Sequence, residues 1–160
     1  MNPCPCGYLG DPQGNCNCSA DRVQNYRGRI SGPLLDRIDI QLKVPRPSAA
    51  MMRAAAADGE TSATVAARVL AAREKQLRRA GVCNSRLDGE PLNKACRLKP
   101  DAEELLERAM DQHGLSPRSH QRMLRVALTI ADLAGDERVG INAIAEALSL
   151  RGLQSQPVMV

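Results

Sequence analysis

Ser116-Pro-Arg-Ser-His-Gln-Arg-Met-Leu-Arg-Val-Ala-Leu-Thr-Ile-Ala-Asp-Leu-Ala-Gly135 reads as one long amphipathic helix from Pro117 to Ala134 with its flanking residues. Ser116 suits the N-cap, where its hydroxyl can accept an orphan backbone N–H, and Pro117 suits the first helical position, where a missing N–H costs nothing. Met123, Val126, Ala127, Ile130, Leu133 and Ala134 recur at helical spacing, which predicts the central helix of a bundle. Arg118, Arg122 and Arg125 recur on another face. On spacing alone this row is a solvated basic stripe, but Arg118 stands at the N-terminal end, where the backbone N–H groups favour an anion.

The neighbouring segments are helical as well. Thr61 to Ala80 carries Ala66, Val69, Leu70, Leu77 and Ala80 as an apolar face and Gly81 as a stop. Its Arg68, Arg73, Lys75, Arg78 and Arg79 read as a solvated basic face, since Glu74 lies among them and no aromatic residue does. Residues 82 to 100 read as irregular, with turn formers at Asn84, Asp88-Gly89, Pro91 and Pro100. Asp101-Ala-Glu-Glu opens another helix with acids in its first turn, burying Leu105, Leu106, Ala109 and Met110 and ending at Gly114. Ile141 to Leu150 forms a last short helix with Ile141, Ile144, Ala145 and Leu148 inward. A core without Phe or Trp, in a chain of 160 residues with only two Tyr, must be built of Leu, Ile, Val, Met and Ala, as in helical bundles.

The first third differs. Ser19 caps a short helix running to Arg29, with Val23 and Tyr26 on one face. Gly32-Pro33 breaks it, and Ile38, Ile40, Leu42 and Val44 alternate with polar residues as a strand does. A lone strand leaves its backbone groups without ladder partners, so residues 1 to 44 are expected to belong to a sheet whose other strands lie outside this chain. Between helix and strand, Arg37 stands flanked by Asp36 and Asp39, a permanent cation whose planar fork suits phosphate.

Six cysteines occur, four of them in Cys4-Pro-Cys6 and Cys16-Asn-Cys18. In extended backbone each Cys-x-Cys pair aims both thiols to one side, and Gly7, Gly10, Asp11-Pro12 and Gly14-Asn15 allow the chain to double back. Four thiolates so gathered would enclose a tetrahedral zinc. Zinc ribbons more often use Cys-x-x-Cys, so plain reduced thiols and disulfides stay open as readings. Cys83 and Cys96 read as incidental or buried thiols. His113 and His120 have no ligand or triad partner at recognisable spacing and read as surface residues.

The net charge of +4 and sequence pI near 8.9 permit contact with nucleic acid or nucleotide without requiring it. No apolar run approaches a membrane span, and no signal-peptide pattern opens the sequence, so no membrane contact and a cytoplasmic location are expected.

Three motifs in order, Met1-Asn-Pro-Cys-Pro-Cys-Gly-Tyr8, Arg29-Ile-Ser-Gly-Pro-Leu-Leu-Asp-Arg-Ile-Asp39 and the stretch from Leu115 to Gly135, together resemble the magnesium-chelatase-like AAA+ ATPases of the ComM/YifB group, linked to natural transformation and DNA branch migration. The resemblance implies a mainly α chain. Residues 1–46 would be the C-terminal fragment of an α/β AAA+ core, 47–60 a linker, 61–153 the helical lid or magnesium-chelatase C-terminal domain, and 154–160 a tail. It further implies Asn2 as sensor 1, Arg37 as an arginine finger reaching a neighbouring subunit's ATP, and Arg118 as sensor 2. The implied partners are the rest of the core and neighbouring subunits in a hexamer, with DNA engaged through the parent, whose cofactors are ATP and Mg2+.

One departure limits the expectation. No Gly-x-x-x-x-Gly-Lys-[Ser/Thr] and no apolar run ending in Asp-Glu occurs, so the residues that cradle the phosphates and hold magnesium are not in these 160 residues. A zinc-stabilised module binding DNA or protein is the alternative reading. Magnesium insertion into a porphyrin is a third, against which the cysteine-rich loop speaks.

Overall fold

The structure is a computed structural model and describes residues 1–12, 14–35, 37–42, 44, 46–47 and 59–151. The expected linker stretch 48–58, the tail and Asp36 lie outside the described residues. The chain divides into two units. One holds the described residues up to Ile38 with 44, 46 and 47; the other holds 39–42 and 59–151.

The second unit is a helical bundle. Its elements are α3 (Ser62–Ala80), a 3-10 turn (Asn84–Arg86), α4 (Gly89–Cys96), α5 (Pro100–His113), α6 (Pro117–Ala134) and α7 (Ile141–Leu150). Helix α6 is the central element, packing against α3, α4 and α7, while α5 packs against α7. The caps follow from local chemistry: the Thr61 and Ser116 hydroxyls accept the N–H groups of Thr64 and Ser119. Gly114 and Gly135 end α5 and α6 in the left-handed conformation, at φ 56° and 84°, which a Cβ would strain. Leu92, Leu106, Met123, Leu124, Leu128, Val139 and Ile144 are fully buried, an aliphatic core as the composition requires.

Several expected faces are shifted. On α6 the buried residues are Ser119, Met123, Leu124, Ala127, Leu128, Ala131 and Asp132, whereas Leu133 is exposed. On α7, Ala143 and Ala147 join Ile144 and Leu148 inside, and Ile141 is exposed. Residues 89–96, expected to be irregular, are helical, because Pro91 falls in the first turn, where no N–H is needed.

Helix α3 departs most. Val65, Val69, Leu70 and Leu77 are exposed, and only Ala72 and Gln76 are buried. The seam between α3 and α6 is polar instead. Asp132, its side chain fully buried, accepts from Arg79 at 2.5 Å and from Asn84 Nδ2 at 2.9 Å. The Asn84 backbone N–H donates to Gln76 Oε1 at 3.1 Å, and Asn84 Nδ2 also reaches Thr129 Oγ1. Removing Asp132 takes the carboxylate from Arg79 and leaves Asn84 Nδ2 with Thr129 alone, so Asp132→Ala is expected to lower stability by about 2–3 kcal/mol. Urea unfolding followed by far-UV circular dichroism measures this, and an unchanged midpoint would show that the seam contributes nothing.

The first unit contains α1 (Ala20–Arg27) and a single turn α2 (Gly32–Leu35). Ser19 caps α1 as expected, its hydroxyl accepting from Arg22 N–H. Gly32-Pro33 does more than break a helix: it opens α2. The expected strand over residues 38–44 is not formed, and no strand occurs among the described residues. The physical reason is the absence of a neighbour to complete a ladder. One backbone bond, from Gln41 N–H to the Leu150 carbonyl at 2.6 Å, is present, and Ile40 and Leu42 stand exposed.

Candidate metal centre and arginine positions

The four N-terminal cysteines converge through turns rather than through extended strands. Gly7 N–H donates to the Cys4 carbonyl, Asp11 N–H to Tyr8 and Gly14 N–H to Asp11, each at 3.0 Å. Gly7 and Gly10 adopt φ 85° and 80°, conformations that only glycine takes without strain. The Cys4 sulfur lies 3.3 Å from that of Cys6 and 3.7 Å from that of Cys16, with Cys6 and Cys16 3.6 Å apart. All four sulfurs, Cys18 included, lie within 4.8 Å of one another.

This geometry fits a tetrahedral ion. Four sulfurs each ~2.3 Å from a common zinc stand ~3.8 Å from one another. The separations are far longer than the ~2.05 Å of a disulfide, and all six cysteines are free thiols. The donor set is all sulfur, which selects a soft or borderline cation such as Zn2+ over Mg2+ or Ca2+.

The thiols also perturb one another as ligands held close together do. At Cys4, burial works to raise the pKa, but hydrogen bonds from Cys6, the Leu9 backbone, Cys16 and the Gly7 backbone outweigh it and bring the thiol down to about 6. At Cys16 the Cys18 backbone lowers the pKa, but burial and the neighbouring Cys6 and Cys4 push it up to about 11. Cys18 is likewise raised: the Cys6 backbone lowers it, and the Cys6 side chain, burial and Cys4 outweigh that effect. One thiolate therefore holds its neighbours protonated, a repulsion that a divalent cation removes. Cys96 is different. It lies fully inside the bundle, where burial, aided by Asp132 and opposed by Arg79, pushes its thiol up to about 12, and its role is packing.

Asn2 is exposed and lies against the cysteine loop, its Nδ2 3.6 Å from where a Cβ on Gly7 would stand. The Arg27 Nε donates to the Pro3 carbonyl at 3.1 Å, fastening α1 to the same segment. Arg37 is exposed, in the turn after α2, with its backbone N–H donating to the Leu34 carbonyl and that of Ile38 to Leu35. Asp39, expected as one of the two acids flanking Arg37, pairs with Arg122 at 2.7 Å. No sequence signal could have found that pair, which joins residues far apart in the chain.

On α6 the three arginines separate by environment. Arg122 pairs with Asp39, and Arg125 pairs with Asp88 at 2.6 Å. Arg118, in the first helical turn, is exposed and makes no ion pair among the described residues. Of the histidines, His113 is exposed, whereas His120 is half-buried with its pKa lowered by burial. No helix among the described residues is long and apolar enough to cross a membrane.

Comparison with known proteins completes the description. The family described as magnesium chelatase, subunit ChlI, matches residues 1–52, and the family described as magnesium chelatase, subunit ChlI C-terminal, matches residues 59–151. The chain is 42% identical over 154 residues to the uncharacterized protein YifB of Salmonella typhimurium. It is 37% identical over 153 residues to the competence protein ComM of Haemophilus influenzae. Each alignment covers 96% of this chain and 30% of the relative, so the chain spans under a third of the length of these relatives. An uncharacterized protein of Mycobacterium tuberculosis, Rv2897c, is 41% identical over 154 residues, covering 94% of this chain and 30% of the relative.

Proposed function

From its membership of the magnesium chelatase subunit ChlI family, to which the chain belongs, we infer that it serves as the C-terminal part of an oligomeric AAA+ ATPase that couples ATP hydrolysis to DNA remodelling, of the branch-migration kind used in transformation. Residues 1–46 act as the end of the core and 61–153 as the lid. Asn2 orients the attacking water as sensor 1. Arg37 reaches the ATP of the adjoining subunit in a cytoplasmic hexamer, and Arg118 acts as sensor 2. ATP and Mg2+ belong to the whole assembly, and the four cysteines hold a structural zinc that shapes the loop beside Asn2.

The observation that carries this reading is Arg118. A helix N-terminus already presents backbone N–H groups to an anion, and the arginine there is exposed while its two neighbours on α6 are each held by a carboxylate. A basic stripe serving only solubility would not sort its members in this way. The name of the ComM relative, a competence protein, supports the DNA-directed role.

The 160 residues contain no phosphate-cradling loop. The purified chain is therefore expected to show no ATP turnover above buffer, as read by a coupled phosphate-release assay. Turnover by the chain alone, lost on Arg37→Ala, would overturn this expectation.

A further inference from the structure

The bundle holds a half-open cleft of about 660 Å³ where the C-terminal half of α3 faces α4. Among the described residues its walls carry Lys75, Arg78, Arg79, Lys94 and Arg97 against the single acid Glu137. The sequence separates these cations into two groups; the fold puts them around one space.

Their commitments differ. Arg79 is held by Asp132, and Lys75 by Glu137 at 3.5 Å and by the Asp136 carbonyl. Arg78 has only an exposed contact with Glu74 at 3.6 Å. Lys94 and Arg97 are exposed and make no ion pair among the described residues.

Arg97 adds a second, independent observation. It is the one non-glycine residue with positive φ among those described, at 45°, as the C-cap of α4. Glycine or asparagine takes this position at lower cost. The conformation is over-determined by its surroundings: Arg138 donates to the Arg97 and Leu98 carbonyls at 3.0 and 2.9 Å, and Val139 bonds the Cys96 carbonyl and the Lys99 N–H. Strain held in place this firmly at the mouth of a cationic cleft points to use of the side chain.

We propose that this cleft is a phosphate-binding site for a polyanion, with Lys94 and Arg97 as its mobile grips and Arg78 as a third. The phosphates come either from a phosphodiester chain or from a free polyphosphate. Recognition is through charge and the arginine forks. No aromatic residue is among the described lining residues of the cleft, so its walls offer charge rather than base stacking. The site shares no residue with Arg37, Arg118 or the cysteines, and does not rest on their proposed roles.

The test uses the whole 160-residue chain. Fluorescence anisotropy with a labelled mixed-sequence single-stranded oligonucleotide, and calorimetry with inorganic tripolyphosphate, separate the two sources. For whichever ligand binds, the double variant Lys94→Ala with Arg97→Gly is expected to weaken affinity about tenfold, and for the oligonucleotide to reduce the salt slope by about 1.4, the share of two phosphates on a single strand. Arg108→Ala on the far helix α5, which removes a cation paired with Glu104, should change affinity less than twofold. Arg97→Gly alone separates recognition from architecture, because glycine relieves the left-handed backbone: the melting temperature should hold or rise while affinity falls. Absence of binding to both probes would overturn the proposal. So would an equal loss in Arg108→Ala, or polyglutamate binding as tightly as the phosphate probes.

Discussion

On the proposed assignment of Arg37 to a neighbour's ATP, Arg37→Ala is expected to lower ATP turnover by about 10³-fold or more, with nucleotide binding retained, in a chimera carrying these 160 residues in place of the matching segment of Haemophilus influenzae ComM. The size follows from where the charge acts. A guanidinium placed against the transferring phosphoryl group stabilises charge that grows in the transition state, so its loss falls on kcat rather than on binding. The local structure is suited to that task. Arg37 sits in a turn where its own N–H and that of Ile38 bond the Leu34 and Leu35 carbonyls, so an exposed residue stands on a constrained base. Arg37→Lys should recover little, since a point charge lacks the planar fork. Steady-state phosphate release measures the loss. Mixing Arg37→Ala subunits with subunits defective in ATP binding should restore activity if the arginine serves a neighbour. A loss of less than tenfold would remove Arg37 from the reaction, and no recovery on mixing would overturn its assignment to a neighbour's site.

The second large effect concerns the cysteines. Protein purified without chelator is expected to contain one zinc per chain by plasma mass spectrometry, and Cys4→Ser or Cys16→Ser to lose it. Apparent binding free energies for structural zinc at neutral pH are about 10–16 kcal/mol, far more than the short helices α1 and α2 could supply through packing. Removal of the metal should therefore disorder the loop and expose Cys4, now fully buried, to alkylation. The aliphatic core of the other unit should keep its helical signal. The pH dependence has a definite sign. Zinc takes thiolates, so binding at pH 7 must displace protons from Cys16 and Cys18, whose pKa values are raised, and affinity rises with pH. Cys4, lowered to about 6, is already ionised at neutral pH and adds a further loss of affinity only as the pH falls through that value. Zinc well below one per chain in protein with intact thiols would refute the centre.

Helix ends were legible in the sequence because capping is local. Ser116 and Pro117 determine where α6 begins whatever packs on it, and Thr61 does the same for the start of α3. The faces were less legible, since the buried side of a helix depends on its partners. Leu133, expected on the apolar face, lies outside, while the acid beside it, Asp132, lies inside. The turn formers of residues 82–100 concealed α4, whose Pro91 sits in the one turn that tolerates it. The strand pattern of residues 38–44 was present in the alternation, but a ladder needs a second strand. Among the candidate site residues, the spacing of the cysteines pointed to a shared centre, although the thiols meet through glycine turns rather than strands. The pairing of Asp39 with Arg122 had no trace in the sequence.

The polar seam between α3 and α6 also acts as a check on alignment. An aliphatic interface tolerates a slip of one helical turn, about 5.4 Å, because one leucine replaces another at modest cost. Here the same slip would carry Arg79 away from Asp132 and leave a carboxylate enclosed without a cation, a penalty of several kcal/mol. The seam thus discriminates by making wrong registers expensive, and α3 arrives with its basic C-terminal half in one place only.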